Sequence, residues 1–200
     1  MYDPVLQNAR KPKGYDGEKT LERMNEHHAP LVKWGLSYLN ILQNAKILDI
    51  GCGGGATIGE LLNRYENSIV DGVDFSEKSV EMSKNFNAKF LGTRCEINQG
   101  DAANLPYENE SYDAVTAVET VYFWQPVEKA FSEVFRVLKR DGVFMILNEI
   151  SDPQSQWKDK IKGMNIYTPQ QLCDILKSIG FVNVEFYQGE RENICVIAKK

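Results

Sequence analysis

The 200-residue sequence contains few cysteines and no long apolar segment. Cys52, Cys95, Cys173 and Cys195 are widely spaced and form no C-x-x-C pair, so we expect no metal site and no disulfide framework. Free thiols are typical of a reducing compartment, and we expect a cytoplasmic protein. The longest apolar run, 143–147, is far shorter than the roughly 20 residues that span a bilayer. The first residues do not resemble a secretory signal, and we expect no membrane span.

Basic charge is also scarce in this chain. It has 23 lysines and arginines against 28 aspartates and glutamates, which gives a formal net charge of −5 at pH 7. Proteins that bind nucleic acid by charge usually present an excess of lysine and arginine, so this balance argues against a nucleic-acid partner. The length suits one domain with its own apolar core, and we find no internal repeat.

Helical patterns come first in the chain. Asp16 is a suitable N-cap for a helix that reaches His28, and Pro30 suits the first turn of a second helix. Apolar residues at helical spacing extend this second helix to Leu42. We therefore expect residues 1–45 to form an N-terminal helical segment, called the lid below, that covers a binding site and helps to define the substrate.

Strands and helices alternate from residue 46 onward. The predicted strands cover 46–50, 68–75, 95–100, 112–119 and 143–150, and the helices between them cover 56–65, 77–87 and 126–139. This alternation predicts an α/β, Rossmann-like, doubly wound domain over 46–200. A helix between Thr168 and Gly180 precedes two β-rich runs, 182–187 and 194–198, that are joined by a short loop. Such a loop permits only a hairpin, so we expect a seven-stranded, mostly parallel sheet with a C-terminal antiparallel hairpin.

Acidic residues and glycines lie where the first four predicted strands end. In chain order they are Asp49, Gly51, Gly53 and Gly55 at the first strand, Asp74 at the second, Asp101 at the third and Glu119 at the fourth. Ligands of open α/β sheets bind beyond the carboxyl ends of the strands, so these residues are candidates for one site. Glycines let a ligand approach bare backbone beside a helix N-terminus. The carboxylates of Asp74 and Asp101 are suited to ribose hydroxyls and to an exocyclic amine such as that of adenine.

Together these motifs, from about residue 46 to residue 200, resemble those of class I S-adenosylmethionine-dependent methyltransferases. The segment 49–55 (DIGCGGG) is similar to the first motif of the family, and 135–142 (FRVLKRDG) is similar to its turn before the fifth strand. The resemblance implies methyltransferase activity with S-adenosylmethionine as cofactor, and it is closest to enzymes that methylate quinone precursors and other small molecules. The segments 24–28 (MNEHH) and 34–36 (WGL) resemble the opening of uncharacterised bacterial members of that group.

The resemblance also implies a set of cofactor-binding residues. They are Asp49, Gly51, Cys52, Gly53, Gly55, Asp74, Phe75, Ser76, Asp101, Ala102 and Glu119. By this resemblance, Asp49 helps to hold the methionine ammonium group, Asp74 holds the ribose and Asp101 contacts the adenine. Phe75 and Ala102 would flank the adenine ring.

Three other functions are left open by the sequence. The pattern Gly51-x-Gly53-x-x-Ala56 also fits a nicotinamide-binding fold, but a carboxylate at Asp49 would repel a pyrophosphate. A nucleic-acid methyltransferase is disfavoured by the charge balance and by the absence of an Asn/Asp-Pro-Pro-Tyr/Phe motif after the fourth strand. A cofactor-binding protein without catalytic activity is disfavoured by the intact glycines and acids, although catalysis leaves no residue signature of its own here.

The catalytic candidates lie in the lid and at the strand ends. Methyl transfer from a sulfonium is an in-line displacement that depends mainly on orientation and on exclusion of water. The only two histidines are adjacent in the lid, and we take His28 as the candidate general base. Tyr122, beside Phe123 and Trp124, is expected next to the methyl group, and Glu149 is a further candidate. The expected partner is a small-molecule methyl acceptor, whose pocket is completed by the lid or by the second subunit of a homodimer.

Overall fold

The computed structural model describes residues 5–200, and its centre is one seven-stranded sheet. The strands are β1 (Lys46–Ile50), β2 (Ile69–Asp74), β3 (Ile97–Gln99), β4 (Tyr112–Val118), β5 (Leu138–Asn148), β6 (Val182–Gln188) and β7 (Ile194–Lys199). Their order across the sheet is β3-β2-β1-β4-β5-β7-β6. The first five strands are parallel, and β7 is antiparallel to both β5 and β6. The predicted mostly parallel sheet with a C-terminal antiparallel hairpin is confirmed.

Helices connect the strands and cover both faces of the sheet. They are α1 (Gly14–His27), α2 (Ala29–Gly35), α3 (Ala56–Arg64), α4 (Glu77–Phe86), α5 (Val127–Val137), α6 (Trp157–Lys160) and α7 (Pro169–Ile179). The Thr168 hydroxyl accepts a hydrogen bond from the Gln171 N–H, and the Gln171 side chain accepts one from the Thr168 N–H. This capping box, together with Gly180 after the last turn, places both ends of α7 where the sequence predicts them.

The second helix of the lid is shorter than its apolar pattern predicts. α2 ends at Gly35 and the chain continues in turns, so the prediction of a helix to Leu42 is wrong. Leu42 is 76% exposed, whereas Leu36 and Leu39 are buried in the core. Helical spacing alone did not distinguish an irregular segment that packs on the sheet from a continuing helix.

Two apolar cores lie on opposite faces of the sheet, because successive strand side chains point to opposite sides. One core contains Phe144 of β5 and joins the sheet to α5 and α7 through residues such as Phe131 and Leu176. The other contains Met145 of β5 and joins the sheet to α2 and α3, with Ile58 fully buried. The packed helices leave the carboxyl ends of β1, β2 and β4 together at one edge of the sheet.

The lid packs against the rest of the chain. α1 contacts α4, and α2 contacts both α3 and β5. The division into a lid of residues 1–45 and a cofactor domain of residues 46–200 stays a prediction, and residues 1–4 lie outside the described residues. Within residues 5–200, none of the helices combines the length and the apolar character that crossing a membrane requires.

Candidate functional site

A cavity of about 690 Å³ opens at the carboxyl ends of β1, β2 and β4. The predicted cofactor-binding residues that line it are Gly51, Cys52, Gly53, Asp74, Phe75, Asp101, Ala102 and Glu119. The predicted lid contributes Met24, Asn25, Glu26 and His28 to the same lining. The volume lies within the range of about 300–1,000 Å³ that is typical of small-molecule sites.

The loop between β1 and α3, called the glycine loop below, is held by its backbone. The N–H groups of Gly51 and Cys52 both donate to the carbonyl of Val73, at 2.7 and 3.2 Å. The Gly53 N–H donates to the Asp74 carboxylate at 3.0 Å. Gly53 has a φ of 51°, and a Cβ added there would meet no protein atom closer than 3.7 Å. The loop therefore presents uncovered backbone to the cavity.

Asp74 ends β2 with its carboxylate turned toward the glycine loop. The residue is 8% exposed, and its two oxygens accept hydrogen bonds from the N–H groups of Gly53 and Ser76, at 3.0 and 2.8 Å. Burial raises the pKa of Asp74, and the two backbone hydrogen bonds oppose that rise. The carboxylate is thus fixed at the cavity wall, and its remaining lone pairs are available to hydroxyl donors.

Phe75, Asp101 and Ala102 form the part of the lining that follows β2 and β3. Phe75 is 40% exposed, and the Lys11 ammonium lies 5.3 Å from the centroid of its ring. The exposed Asp101 carboxylate accepts a hydrogen bond from the Ala103 N–H at 2.9 Å. An uncovered aromatic ring beside a free carboxylate oxygen suits a planar group that carries a hydrogen-bond donor.

Gly55 and Ser76 lie outside the cavity lining. Ser76 is buried at the start of α4, where its hydroxyl accepts a hydrogen bond from the Ser79 N–H. Gly55 precedes α3 with a φ of 85°, and its carbonyl accepts a hydrogen bond from the Asn87 amide. These residues fix the starts of the two helices that follow the site, and their contact with the cofactor stays a prediction.

Asp49 lies beneath the glycine loop and also does not line the cavity. It is 2% exposed, and one carboxylate oxygen accepts a hydrogen bond from the Thr116 hydroxyl at 2.6 Å. Burial raises the pKa of Asp49 to about 7; the Thr116 hydrogen bond opposes this rise and the charge of Asp74 adds to it. The contact of Asp49 with the methionine ammonium group stays a prediction.

The raised pKa of Asp49 predicts a particular dependence of stability on pH. Between the usual carboxyl pKa near 4 and about 7, the folded chain binds a proton at Asp49 that the unfolded chain releases, so this residue makes the free energy of unfolding fall as pH rises. Asparagine imitates the neutral acid. In urea unfolding, we compare the free energy of unfolding of Asp49→Asn with that of the wild type at each pH. We expect this difference to shift in favour of the variant by about 2 kcal/mol between pH 5 and pH 8.

Asp159→Asn, the same change on the exposed helix α6, is the matched control for this comparison. A stability difference between Asp49→Asn and the wild type that is constant from pH 5 to pH 8 would contradict an ionisable, buried carboxyl group at this position.

Glu119 follows β4 and forms an acidic end of the cavity. Its φ is 56°, a left-handed conformation that residues other than glycine adopt uncommonly and that concentrates at functional sites. Its Oε1 accepts hydrogen bonds from the Tyr122 hydroxyl, at 2.9 Å, and from the Glu149 N–H. Burial raises the pKa of Glu119 to about 8; these two hydrogen bonds oppose the rise and the charge of Glu149 adds to it.

His28 faces Glu119 from the start of α2. Its Nε2 lies 3.9 Å from the Glu119 Oε2, and burial together with the neighbouring His27 lowers the pKa of His28 to about 4. The imidazole is therefore neutral at pH 7 and keeps a nitrogen lone pair. The more exposed His27 places its Nε2 3.1 Å from the Glu149 Oε2. The two histidines of the lid thus meet the two glutamates that follow β4 and β5.

Tyr122 is buried beside Glu119. It is 1% exposed and lies outside the cavity lining. Its hydroxyl donates to Glu119 and accepts a hydrogen bond from the Ile150 N–H at 3.0 Å. Tyr122 holds the Glu119 carboxylate, while the adjacent Phe123 and Trp124 line the cavity. Its position next to the methyl group stays a prediction.

Residues before α1, in the part of the lid for which no helix is predicted, line the cavity as well. Arg10 and Pro12 lie in the lining, and the Arg10 guanidinium donates to the Lys162 carbonyl at 3.3 Å. Within the lid, the Asn25 amide donates to the Gly54 carbonyl at 3.2 Å and so joins α1 to the glycine loop. A segment without regular spacing carries no sequence signal for such a position, whereas the resemblance of segment 24–28 to related proteins points to Asn25.

Comparison with known proteins places these features in a family. Residues 48–146 match the family described as a methyltransferase domain. The sterol 24-C-methyltransferase of Debaryomyces hansenii is 30% identical over 156 residues, which cover 72% of this chain and 41% of that protein. The chain therefore spans less than half the length of this relative.

Solved structures show the same fold. A SAM-dependent methyltransferase from Aquifex aeolicus superposes with a TM-score of 0.76 at 17% identity and covers 90% of this chain and 97% of its own. Human N-acetylserotonin methyltransferase in complex with SAM superposes with a TM-score of 0.77 at 15% identity and covers 92% and 56%, respectively. The family match includes the glycine loop, Asp74 and Glu119. The chain belongs to the class I S-adenosylmethionine-dependent methyltransferases.

Proposed function

We propose that this protein transfers the methyl group of S-adenosylmethionine to a small-molecule acceptor. The proposal is carried by one observation: a single cavity joins the glycine loop and Asp74 to the pair formed by His28 and Glu119. An in-line displacement requires donor and acceptor in one space that excludes water. The cavity offers a donor part against the strand ends and an acceptor part against the lid.

The residues of the donor part fit S-adenosylmethionine. The space at the Gly53 Cβ position is open, so a ligand can lie against the backbone of the glycine loop, including Cys52. The fixed carboxylate of Asp74 suits the ribose hydroxyls, and Phe75 with Ala102 suits the adenine ring. When bound, the cofactor supplies an electrophilic methyl group on a positively charged sulfur atom.

The acceptor part of the cavity combines apolar and aromatic side chains with the pair formed by His28 and Glu119. Met24 and Val32 line it from the lid, and Phe123 and Trp124 line it from the turn after β4. The whole cavity of about 690 Å³ must also hold the donor, and this limited space supports a small-molecule acceptor. The similarity to a sterol 24-C-methyltransferase and the sequence resemblance to enzymes of quinone precursors both support an acceptor with an apolar or planar body.

We propose His28 as the catalytic residue that contacts the acceptor. Its neutral imidazole lines the cavity and can take the proton of an acceptor hydroxyl as the oxygen–methyl bond forms and the electron pair of the methyl–sulfur bond stays with sulfur. Tyr122 acts as a positioning residue: its hydroxyl holds one oxygen of Glu119, and the other oxygen lies toward His28.

The cellular setting is also a proposal. The four cysteines are free and buried, which agrees with a reducing compartment such as the cytoplasm. A homodimer and the absence of a nucleic-acid partner stay predictions, the second supported by the net charge of −5.

Binding and turnover measurements test the proposed function. In calorimetry, S-adenosylmethionine and S-adenosylhomocysteine are expected to bind and NAD is expected not to bind, because the donor part offers an acidic rather than a phosphate-binding environment. Incubation with methyl-labelled S-adenosylmethionine and a panel of small hydroxylated and planar acceptors is expected to move the label to one class of acceptor.

Binding of NAD alone would contradict the proposal and favour the oxidoreductase alternative. Binding of S-adenosylhomocysteine without label transfer to any acceptor of a broad panel would favour a non-catalytic cofactor-binding protein. Label transfer to a nucleic acid alone would contradict the proposed small-molecule acceptor.

A further inference from the structure

Three side chains from separate parts of the chain meet at the acceptor end of the cavity, which His28 and Glu119 line and Glu149 adjoins from outside the lining. His28 belongs to the lid, Glu119 follows β4 and Glu149 follows β5. Each offers one nitrogen or oxygen atom, and these atoms all lie within 4.8 Å of one another. The sequence analysis expects no metal site, because no local spacing links residues so far apart along the chain.

The distance between His28 and Glu119 suits two ligands of one ion better than a direct contact. Their Nε2 and Oε2 atoms are 3.9 Å apart, which is beyond hydrogen-bond range. Two atoms that each bind one cation at about 2.1 Å, at octahedral or tetrahedral angles, lie about 3.0–3.4 Å apart, which is about 0.5–0.9 Å less than the distance here. A cation therefore fits between these side chains without moving either of them far.

The glutamates are also oriented as metal ligands usually are. The Tyr122 hydroxyl and the Glu149 N–H both donate to Oε1 of Glu119, so Oε2 is the oxygen left toward His28. The Oε2 of Glu149 pairs with His27 at 3.1 Å. Such outer hydrogen bonds to ligating side chains fix their direction and raise metal affinity.

The charge balance of the cluster points to a cation as well. Within residues 5–200, the ion pairs of Glu119 and Glu149 involve only the two histidines, and no lysine or arginine neutralises either carboxylate. A divalent cation would supply the positive charge that this end of the cavity lacks.

We propose that His28, Glu119 and Glu149 bind one divalent transition-metal ion, of the class that includes Mn²⁺, Fe²⁺ and Zn²⁺. One imidazole nitrogen with two carboxylate oxygens suits these ions better than Mg²⁺ or Ca²⁺, which prefer oxygen ligands alone. Three protein ligands leave at least one coordination position open toward the cavity.

This proposal rests on the proposed methyl transfer and narrows its acceptor to molecules with an oxygen donor, such as a hydroxyl. The acceptor oxygen would occupy the open position of the cation, which lowers the pKa of its hydroxyl. With the cation bound, His28 serves as its ligand in place of the base role proposed above, and the hydroxyl proton leaves to water. The oxygen–methyl bond forms, and the electron pair of the broken methyl–sulfur bond stays on sulfur.

Cation binding can be measured directly on the full chain after removal of metals with a chelator. We expect one Mn²⁺ to bind per chain, measured by the loss of the electron paramagnetic resonance signal of free Mn²⁺. In calorimetry, we expect one Zn²⁺ to bind per chain. Glu149→Gln and His28→Gln are each expected to weaken Mn²⁺ binding about tenfold or more, since each removes a ligand. Glu60→Gln, the same change at a cavity-lining residue outside the cluster, is the matched control. Its Mn²⁺ affinity is expected to stay within about twofold of the wild-type value.

Thermal unfolding and S-adenosylhomocysteine affinity, measured on every variant, separate this proposal from the proposed function. A chain that binds no cation, or variants Glu149→Gln and His28→Gln that bind Mn²⁺ like the wild type, would overturn the cation site. The proposed function then stands if S-adenosylhomocysteine still binds and methyl is transferred. Cation binding at the cluster without any S-adenosylhomocysteine binding would overturn the proposed function instead. If one variant fails to fold, the other carries the comparison.

Discussion

Replacing Asp74 with alanine is expected to weaken binding of S-adenosylhomocysteine by about 100-fold. The carboxylate lies at the cavity wall, is held by the N–H groups of Gly53 and Ser76, and offers its remaining lone pairs to the ribose. Hydrogen bonds from a neutral donor to a charged acceptor contribute about 1.5–3 kcal/mol each, and about 2.7 kcal/mol corresponds to 100-fold in affinity. Calorimetry at pH 7.5 provides the measurement.

The same substitution removes the hydrogen-bond acceptor of two backbone N–H groups, so its effect on folding must be separated from its effect on binding. Asp74→Asn keeps one acceptor oxygen and the shape of the side chain, and it is expected to lose less stability than Asp74→Ala. Both variants lose the negative charge, and both should bind S-adenosylhomocysteine weakly. Asp159→Asn on α6 serves as the surface control. A folded Asp74→Asn variant with wild-type affinity would show that the ribose does not contact this residue.

The residues at the strand ends could be predicted because parallel strands share one edge. The sequence places the glycine loop after β1 and acids after β2 and β4, and the sheet brings them to one cavity. This inference needs only the order of strands and helices, which apolar periodicity and helix caps provide. The capping box of α7 illustrates the reliability of such local signals, since both of its hydrogen bonds are formed.

Side-chain directions are harder to predict from the sequence. Ser76 is a residue type that suits either a ligand contact or a helix cap, and the structure uses it as the cap of α4. Tyr122 lies in a short 3₁₀ turn, Val121–Phe123, whose geometry turns its ring away from the cavity and toward Glu119. The meeting of His28 with Glu149 depends on how the lid packs on the sheet, and no pattern within either segment indicates that contact.

The glycine loop combines two different requirements for glycine, and alanine substitutions can separate them. Gly51 has a φ of 74°, and a Cβ added there would overlap the Thr120 side chain, which is itself hydrogen-bonded to the Trp124 indole. Gly92 has nearly the same φ, 71°, but an added Cβ would meet no atom within 4 Å. The stability loss of Gly92→Ala thus reports the cost of a positive φ alone, and the stability loss of Gly51→Ala adds the cost of a steric overlap.

We expect Gly92→Ala to lower the free energy of unfolding by about 1 kcal/mol and Gly51→Ala to lower it by about 3 kcal/mol, because overpacking adds to the same backbone strain. Gly53→Ala, with a φ of 51° and open space at its Cβ, should resemble Gly92→Ala in stability. Its methyl group would project beside the cavity, however, and weaken S-adenosylhomocysteine binding about ten- to 100-fold.

Urea unfolding and calorimetry on the three variants therefore test fold and site together. Gly92→Ala should retain full affinity, since residue 92 does not line the cavity. Gly53→Ala should lose affinity with little additional loss of stability, and Gly51→Ala should lose both. Wild-type affinity in Gly53→Ala would mean that the ligand does not lie against the glycine loop. Equal stability of Gly51→Ala and Gly92→Ala would mean that Thr120 does not press on this loop. The ratio of affinity lost to stability lost thus distinguishes glycines that face a ligand from glycines that face the protein.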